Sequence, residues 1–117
     1  MKKTRFKLKK GRDIKRVLKK GLWKTQKNIS VYCYKNNLKY CRIAICVSKK
    51  NGISVERNLL KRWIREAHRN LVDLEKAKGL DIVIMPKKDT KTLDVTYNDV
   101  YNQLKCIYSQ SNLIKKV

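Results

Sequence analysis

A cluster of arginines on one side of a predicted helix is the feature of this sequence best suited to binding chemistry. Residues 54–69, SVERNLLKRWIREAHR, contain four arginines and one lysine, with leucine, tryptophan and isoleucine between them. At a helical step of about 100° per residue, seven polar side chains fall within an arc of about 140°. They are Arg57, Asn58, Lys61, Arg62, Arg65, His68 and Arg69. Because a guanidinium group can donate two parallel hydrogen bonds to a phosphate, this face is suited to hold a polyanion.

Two acids of the predicted helix do not lie among its arginines. Glu66 and Asp73 fall at the margins of the arc rather than within it. A helix face that is only solvated usually mixes signs, since like charges one turn apart cost a few tenths of a kcal/mol per pair. We therefore interpret the face as a phosphate-binding surface, with a solvated face that makes no specific contacts as the alternative. A membrane-surface helix is disfavoured, because the apolar arc is needed to pack on the rest of the fold: Leu60, Trp63, Ile64, Ala67, Leu71 and Leu74.

The overall charge agrees with a polyanionic partner. The 117 residues include 31 lysines and arginines but 9 acids, for a net charge of +22. Nucleic acid is the partner that best compensates such a charge. The hydrophobic share of 42% is sufficient for one folded domain, which we place at residues 1–117, with a basic segment at residues 1–11.

Several other functions are disfavoured by the residues present. His68 is the one histidine, it lies within the basic arc, and no nucleophile, base or carboxylate pair accompanies it. The four cysteines form no CxxC pair, so we expect buried free thiols and no metal site. The sequence shows no apolar run long enough for a signal peptide or a transmembrane helix. We therefore expect a cytoplasmic protein that does not bind membranes.

The hydrophobic periodicity predicts an α+β fold. The predicted elements are a helix at 12–20 ended by Gly21, strands at 29–34 and 39–48, a helix at 55–76 capped by Ser54, a strand at 80–85, and a helix capped by Thr96. The run at 39–48 is long enough to be bent into two strands, which gives the order α-β-β-β-α-β-α. A two-layer sandwich is expected, with helices packed on one mostly antiparallel sheet.

Two tyrosines share one face of the first predicted strand. In ISVYCY, residues 29–34, Tyr32 and Tyr34 alternate with Ile29, Val31 and Cys33. From alternation alone we interpret the tyrosines as an ordinary half-exposed strand pair, with a binding surface as the alternative.

Residues 47–69 resemble a known signature. VSKKNGISVERNLLKRWIREAHR is similar to the signature of the bacterial ribonuclease P protein subunit, in which a strand ends in V-S-K-K, a glycine follows, and then V-x-R-N-R-x-K-R-x-I-R-x-A-F. The positions that match are Val47, Ser48, Lys49, Lys50, Gly52, Val55, Arg57, Asn58, Lys61, Arg62, Ile64, Arg65 and Ala67. An earlier pattern, Leu8 to Gly21, and the order of the elements extend the resemblance over nearly the whole chain.

This resemblance implies a role beside a catalytic RNA. In the family, the RNA subunit with bound Mg²⁺ removes the 5′ leader of precursor tRNA, and the protein contributes binding. The resemblance implies no catalytic residue and no cofactor in the protein, a 1:1 complex with ribonuclease P RNA, and a left-handed crossover in the sheet. The RNA-binding residues would be Lys49, Lys50, Arg57, Asn58, Lys61, Arg62, Arg65 and Arg69. A groove for the leader would be lined by Ile14, Leu18, Tyr32 and Tyr34, and further phosphate contacts would come from Arg5, Lys7, Lys9, Lys10 and Arg12.

The sequence departs from the family pattern in the arginine helix and in the first helix. Leu59 stands where the family has the third residue of Arg-Asn-Arg, and His68 stands where an aromatic residue is usual. Ile14 and Leu18 replace the frequent phenylalanines of the first helix, so ring stacking on a base is lost at those positions. The alternatives are a structural RNA-binding protein of ribosomal type and, with less support, an independent nuclease.

Overall fold

A computed structural model describes residues 7–114 of the chain. These residues form three α-helices and four β-strands in the predicted order. The elements are α1 (Gly11–Lys20), β1 (Leu22–Thr25), β2 (Ile29–Lys35), β3 (Arg42–Ile45), α2 (Ser54–Leu71), β4 (Leu80–Pro86) and α3 (Tyr97–Gln110). Short 3-10 turns occupy Lys49–Asn51 and Thr92–Asp94.

The strands form one open, mixed sheet in the order β1-β2-β4-β3. The β1–β2 and β2–β4 pairs are antiparallel, whereas β3 and β4 are parallel and are joined through α2. The mostly antiparallel α+β architecture is therefore confirmed. The left-handed sense of the β3–α2–β4 crossover stays a prediction.

The sheet is covered differently on its two faces. Alternate residues of β2 and β4 point toward α2 and α3 and build the main core, which includes Ile29, Val31, Ile82 and Ile84. The remaining residues of the same strands point to the other face, where Val83 packs with Val17 of α1. The short helix α1 therefore lies across the sheet from the long helix α2.

Two strand predictions need correction. The sequence pattern misses strand β1, because LWKT shows no alternation of apolar and polar residues and all four residues are exposed. The run at 39–48 is not two strands, since only Arg42–Ile45 is regular. The preceding residues form a turn in which the side chain of Asn36 accepts from the Leu38 N–H and donates to the Tyr40 carbonyl, at 2.8 and 3.2 Å. Because of that turn, β3 begins only at Arg42.

The predicted end of the long helix is also wrong. Helix α2 ends at Leu71 rather than near Lys76. Its continuation is blocked because the carboxylate of Asp73 accepts from the N–H groups of Glu75 and Lys76, at 3.0 and 3.2 Å, in a side-chain turn. The Asp73 N–H donates to the carbonyl of Leu113 at 2.7 Å. Leu74 consequently lies outside the helix and is exposed, not part of the apolar arc.

Helix α1 ends where the sequence predicts. The N–H of Gly21 donates to the carbonyl of Val17 at 2.8 Å. A Cβ atom at this position would lie 2.6 Å from the carbonyl oxygen of Cys33, so only glycine allows α1 to approach β2 this closely. The chain then enters β1 directly. Among the described residues, no helix is both long and apolar enough to cross a membrane.

Candidate nucleic-acid interface

One side of α2 holds the helix on the sheet and leaves the basic side outward. Leu60, Ile64, Ala67 and Leu71 are buried in the core. We define the basic face as the eight residues that the resemblance assigns to RNA binding, six in α2 and two in the turn before it. Most of this face is exposed. Asn58, Arg62, Arg65, Arg69, Lys49 and Lys50 are exposed, and Arg57 and Lys61 are half-buried at its flank.

A buried asparagine fixes the two lysines that precede α2. The side chain of Asn51 is fully buried and donates to the carbonyls of Lys87 and Thr90, both at 2.8 Å. Its side-chain oxygen accepts from the Ser48 N–H at 3.0 Å. Because the turn at 49–51 is anchored at its base, Lys49 and Lys50 project beside the start of α2.

A glycine and an arginine shape the entry to the helix. Gly52 has a φ of 134°, and a Cβ there would lie 2.3 Å from the carboxylate of Glu56. That carboxylate accepts from the Ile53 N–H at 2.9 Å, so the side chain of Glu56 caps the start of the helix. The sequence prediction of a cap by Ser54 is therefore wrong. Arg57 donates through Nε to the Gly52 carbonyl at 3.1 Å, which fixes the orientation of its guanidinium group.

Most positive charges of the basic face are not paired with an acid in the part of the chain that the structure describes. Arg69 pairs with Glu66 at 3.0 Å, but both groups are largely exposed, so the pair contributes little. Within residues 7–114, no acid lies within ion-pair distance of Lys61, Arg62 or Arg65. The face is therefore available to an external anion.

His68 does not belong to the exposed basic face, contrary to the sequence prediction. It is buried, its Nδ1 atom is hydrogen bonded to the hydroxyl of Tyr108 at 2.5 Å, and the two rings meet edge to face. Burial first, and the charge of Arg69 second, lower the pKa of His68 to about 4. The imidazole is therefore neutral at physiological pH and acts as a packing group between α2 and α3. On the helical wheel it lies about 20° from Arg57, at the border where the core begins.

The buried imidazole makes a testable contribution to acid sensitivity. Its pKa is about 6.5 in the unfolded chain and about 4 in the folded chain, so the unfolded state binds more protons as the pH falls from 6.5 to 4. The free energy of unfolding should therefore fall by about 3 kcal/mol over that range through this group alone. Urea unfolding at pH 7 and pH 4 should show this extra loss relative to a His68→Gln variant. Equal losses in both proteins would contradict the burial of a neutral His68.

The residues that the resemblance assigns to a leader groove lie on the other face of the sheet, in a hydrophobic cluster beside α1 that we refer to below as the groove. Ile14 and Leu18 are half-buried and pack with Val17, Leu8 and Val83. The rest of this surface comes from the strands: Tyr32, Tyr34, Ala44, Cys46 and Met85 are half-buried and pack on the same cluster. The structure thus brings together the four residues that the resemblance assigns to the groove. Helical packing is the main role of Val17, which is fully buried.

A half-buried arginine fixes α1 above the sheet. Arg42 donates from Nε and Nη2 to the two carboxylate oxygens of Asp81, at 2.8 and 2.7 Å. Its Nη1 atom lies 3.7 Å from the carboxylate of Asp13 in α1. Asp13 and Asp81 are both buried, and the hydrogen bond to Asp81 raises the pKa of Arg42. This ion-pair network therefore connects the helix side of the groove to its floor.

The charge of the basic face reaches one residue of the groove. Lys61 belongs to the basic face and Cys46 to the groove, and the charge of Lys61 acts on the Cys46 thiol, although burial has the larger effect and raises the pKa of that thiol.

Trp23 lies at the edge of the same groove, and the sequence alone assigns it no role. It is directly opposite Tyr32 in the β1–β2 register, and the two rings stack with centroids 6.2 Å apart and planes 29° apart. The sequence suggests partial burial near a sheet edge, but 59% of Trp23 is exposed. Only the assignment of β1 could have placed it beside Tyr32.

The N-terminal basic residues are outward. Lys7, Lys9, Lys10 and Arg12 are exposed, and Arg12 lies 4.0 Å from Asp13. Lys7 and Leu8 run along the edge of β3, where the Leu8 N–H donates to the Ile43 carbonyl at 2.9 Å. Arg5 lies outside the described residues.

The cysteines are suited to packing and not to catalysis. Cys41 is buried, while Cys33, Cys46 and Cys106 are half-buried, and all four are free thiols. Burial raises the pKa of Cys33 to about 11 and that of Cys41 to about 12, so both stay protonated. No group of three or more His, Cys, Asp or Glu side chains in the described part of the chain could hold a metal ion.

A small α+β domain with a cationic helix face, and with an aromatic cluster on the other face of its sheet, is typical of the class of nucleic-acid-binding proteins. The comparison with known families makes the class specific. A family model described as Ribonuclease P matches residues 1–112, and the chain belongs to this family of ribonuclease P protein subunits. Its role is that of an RNA-binding protein in tRNA processing.

Relatives and solved structures agree with this assignment. The chain is 36% identical to the ribonuclease P protein component of Clostridioides difficile over 109 residues, which cover 93% of this chain and 89% of that protein. It is 42% identical to the component of Finegoldia magna over 98 residues, 83% of this chain and 82% of that protein. The RNase P protein structure from Staphylococcus aureus matches with a TM-score of 0.78 and 27% identity, covering 94% of this chain and 98% of that one. That from Thermotoga maritima matches with a TM-score of 0.74 and 31% identity, covering 91% and 97%.

Proposed function

We propose that this chain docks on ribonuclease P RNA through the basic face and holds the single-stranded 5′ leader of precursor tRNA in the groove, while the RNA with Mg²⁺ performs the hydrolysis. The observation that carries the proposal is an arginine surface without paired acids in the described residues, on a domain whose other sheet face brings together the four residues assigned to the groove. A 1:1 complex in the cytoplasm completes the proposal.

The basic face supports docking on folded RNA. Arg62 and Arg65 are exposed and unpaired within the described residues, and Lys49 and Lys50 extend the surface beyond the start of α2. Each phosphate that is neutralised releases counterions, so affinity should fall steeply as salt rises. The exposed Lys7, Lys9, Lys10 and Arg12 supply further contacts of this kind, and we place Arg5 with them.

The groove supports binding of an unpaired strand. Tyr32 and Tyr34 offer ring surfaces that bases can stack on, and Ile14 and Leu18 offer aliphatic contact from α1. Every base has a flat aromatic face, so this surface accepts leaders of different sequence. Phosphate contacts from the neighbouring lysines would position the strand without selecting its sequence.

The residues of the described segment do not fit a protein-held magnesium site. The buried carboxylates Asp13 and Asp81 are both engaged by Arg42, and no third acidic, histidine or cysteine ligand completes a site. The proposal therefore assigns Mg²⁺ to the RNA subunit and only charge neutralisation to the protein.

Replacing Tyr32 tests the groove. Tyr32→Ala should weaken binding of precursor tRNA to the reconstituted ribonucleoprotein by about tenfold, because stacking contributes about 1–3 kcal/mol per base. Binding of mature tRNA, which has no leader, should not change. Tyr32→Phe retains the ring and should retain most of the affinity. Equal losses for precursor and mature tRNA would exclude the groove as the leader site.

A further inference from the structure

The exposed indole of Trp23 is the one large side chain on the groove side of β1. Residues that face each other in an antiparallel pair have side chains on the same face of the sheet, so Trp23 shares its face with Tyr32. Its neighbour Leu22 is more exposed, at 83%, but is paired with Cys33 and therefore lies on the opposite face. All four residues of β1 are exposed, but Trp23 is the one whose ring stacks on Tyr32 of the groove.

The ring of Trp23 extends the aromatic surface of the groove across the sheet edge. Tyr32 lies on β2 and Trp23 on the edge strand β1, and the two rings are stacked at 6.2 Å. Adjacent strands are about 4.8 Å apart, so the extension is comparable to the width of one further base. The indole is supported by Tyr32 on one side, and its exposed fraction of 59% leaves ring surface for a ligand.

The surroundings of Trp23 favour a nucleic-acid strand over an apolar partner. Helix α1 ends with the exposed Lys19 and Lys20, and the close approach at Gly21 leads directly into β1. Neither of these two lysines has an acid within ion-pair distance in the described part of the chain. An aromatic ring among such cations is the composition of a single-strand binding surface, in which bases stack and phosphates are neutralised.

We propose that Trp23 is a stacking site for one nucleobase of the 5′ leader, next to the base that contacts Tyr32. This inference rests on the proposed function of the groove and adds a specific residue to it. A second aromatic site on the sheet edge also compensates for Ile14 and Leu18, which offer bases no ring on α1.

The test measures affinity of the reconstituted ribonucleoprotein, made with the full chain, for precursor tRNAs that differ only in the leader. Trp23→Ala should weaken binding of a long-leader precursor by about tenfold, equivalent to about 1.4 kcal/mol. Trp23→Phe keeps an aromatic ring and should retain most of the affinity. Leu22→Ala is the matched control on the opposite face and should not change affinity. For a leader of a single nucleotide, Trp23→Ala should have little effect, since one base cannot occupy both stacking sites.

Removing single bases from the leader separates direct stacking from support of Tyr32. In the unmodified protein, an abasic residue should weaken binding at two adjacent leader positions. Trp23→Ala should abolish the effect at one of them, and Tyr32→Ala the effect at the other. If both variants abolish sensitivity at the same position, Trp23 only supports Tyr32 and the inference is wrong.

The two proposals fail in different ways. If Tyr32→Ala weakens binding of precursor but not of mature tRNA, while Trp23→Ala changes neither, the groove stands and the Trp23 site is excluded. If neither substitution weakens binding of precursor more than binding of mature tRNA, the leader groove itself is excluded.

Discussion

Replacing Arg62 and Arg65 together by alanine is expected to weaken binding to ribonuclease P RNA by about 100-fold. Both side chains are exposed on the basic face, and neither is paired with an acid among the described residues. A hydrogen bond to a charged group contributes about 1.5–3 kcal/mol, so two lost arginine–phosphate contacts account for a change of this size. The slope of log affinity against log salt should fall by about two. Filter binding over a series of salt concentrations measures both quantities.

A matched pair of lysines controls for net charge. Lys39→Ala with Lys105→Ala also removes two positive charges, from the turn after β2 and from α3, where both side chains are exposed. This variant should lose much less affinity. Circular dichroism and thermal unfolding should show that both double variants keep the fold, since none of the four side chains is buried. If the two double variants bind equally, the basic face is not the docking surface.

Replacing Arg42 by alanine is expected to destabilise the protein by about 3–5 kcal/mol, because it leaves the buried carboxylate of Asp81 without its cationic partner. Asp81 would lose a bidentate ion pair at 2.7 and 2.8 Å, and Asp13 would lose its contact with the sheet at 3.7 Å. Urea unfolding at pH 7 measures the loss. Precursor binding should weaken as well, since α1 forms one side of the groove.

An exposed arginine on the same carboxylate provides the control. Arg16 lies 3.5 Å from Asp13 but is half exposed, so Arg16→Ala should cost less than about 1 kcal/mol. Adding Asp81→Asn to Arg42→Ala should recover part of the loss, because the unpaired buried charge is then removed. If Arg42→Ala costs no more than Arg16→Ala, the network does not hold α1 on the sheet.

Local patterns in the sequence predict the elements that are strongly periodic. The cap and core of α3 are an example: Thr96 accepts from the Asp99 N–H at 3.2 Å, and Val100, Leu104, Ile107 and Tyr108 are buried on one side of the helix. The alternation of β2 places Tyr32 and Tyr34 together on the face that α1 covers. Strand β4 is central and largely buried, as its apolar run predicts.

Features that depend on distant partners could not be predicted in this way. The predicted number of strands is correct, but one of the predicted strands is not. The structure has β1 as its additional strand, whereas the sequence pattern divides the run at 39–48 into two. β1 exists because it pairs with β2, not because of its own pattern. The helical wheel gives His68 an outward direction, but Tyr108 of α3 covers it. Trp23 likewise acquires a role only through the register that sets it opposite Tyr32.

The most direct test of the central claim is cleavage of precursor tRNA by a bacterial ribonuclease P RNA at low Mg²⁺, with and without this protein. The account predicts strong stimulation by the protein, a product with the mature 5′ end, and no cleavage by the protein alone. Tight RNA binding without stimulation would contradict it, and would instead favour a structural RNA-binding protein of ribosomal type.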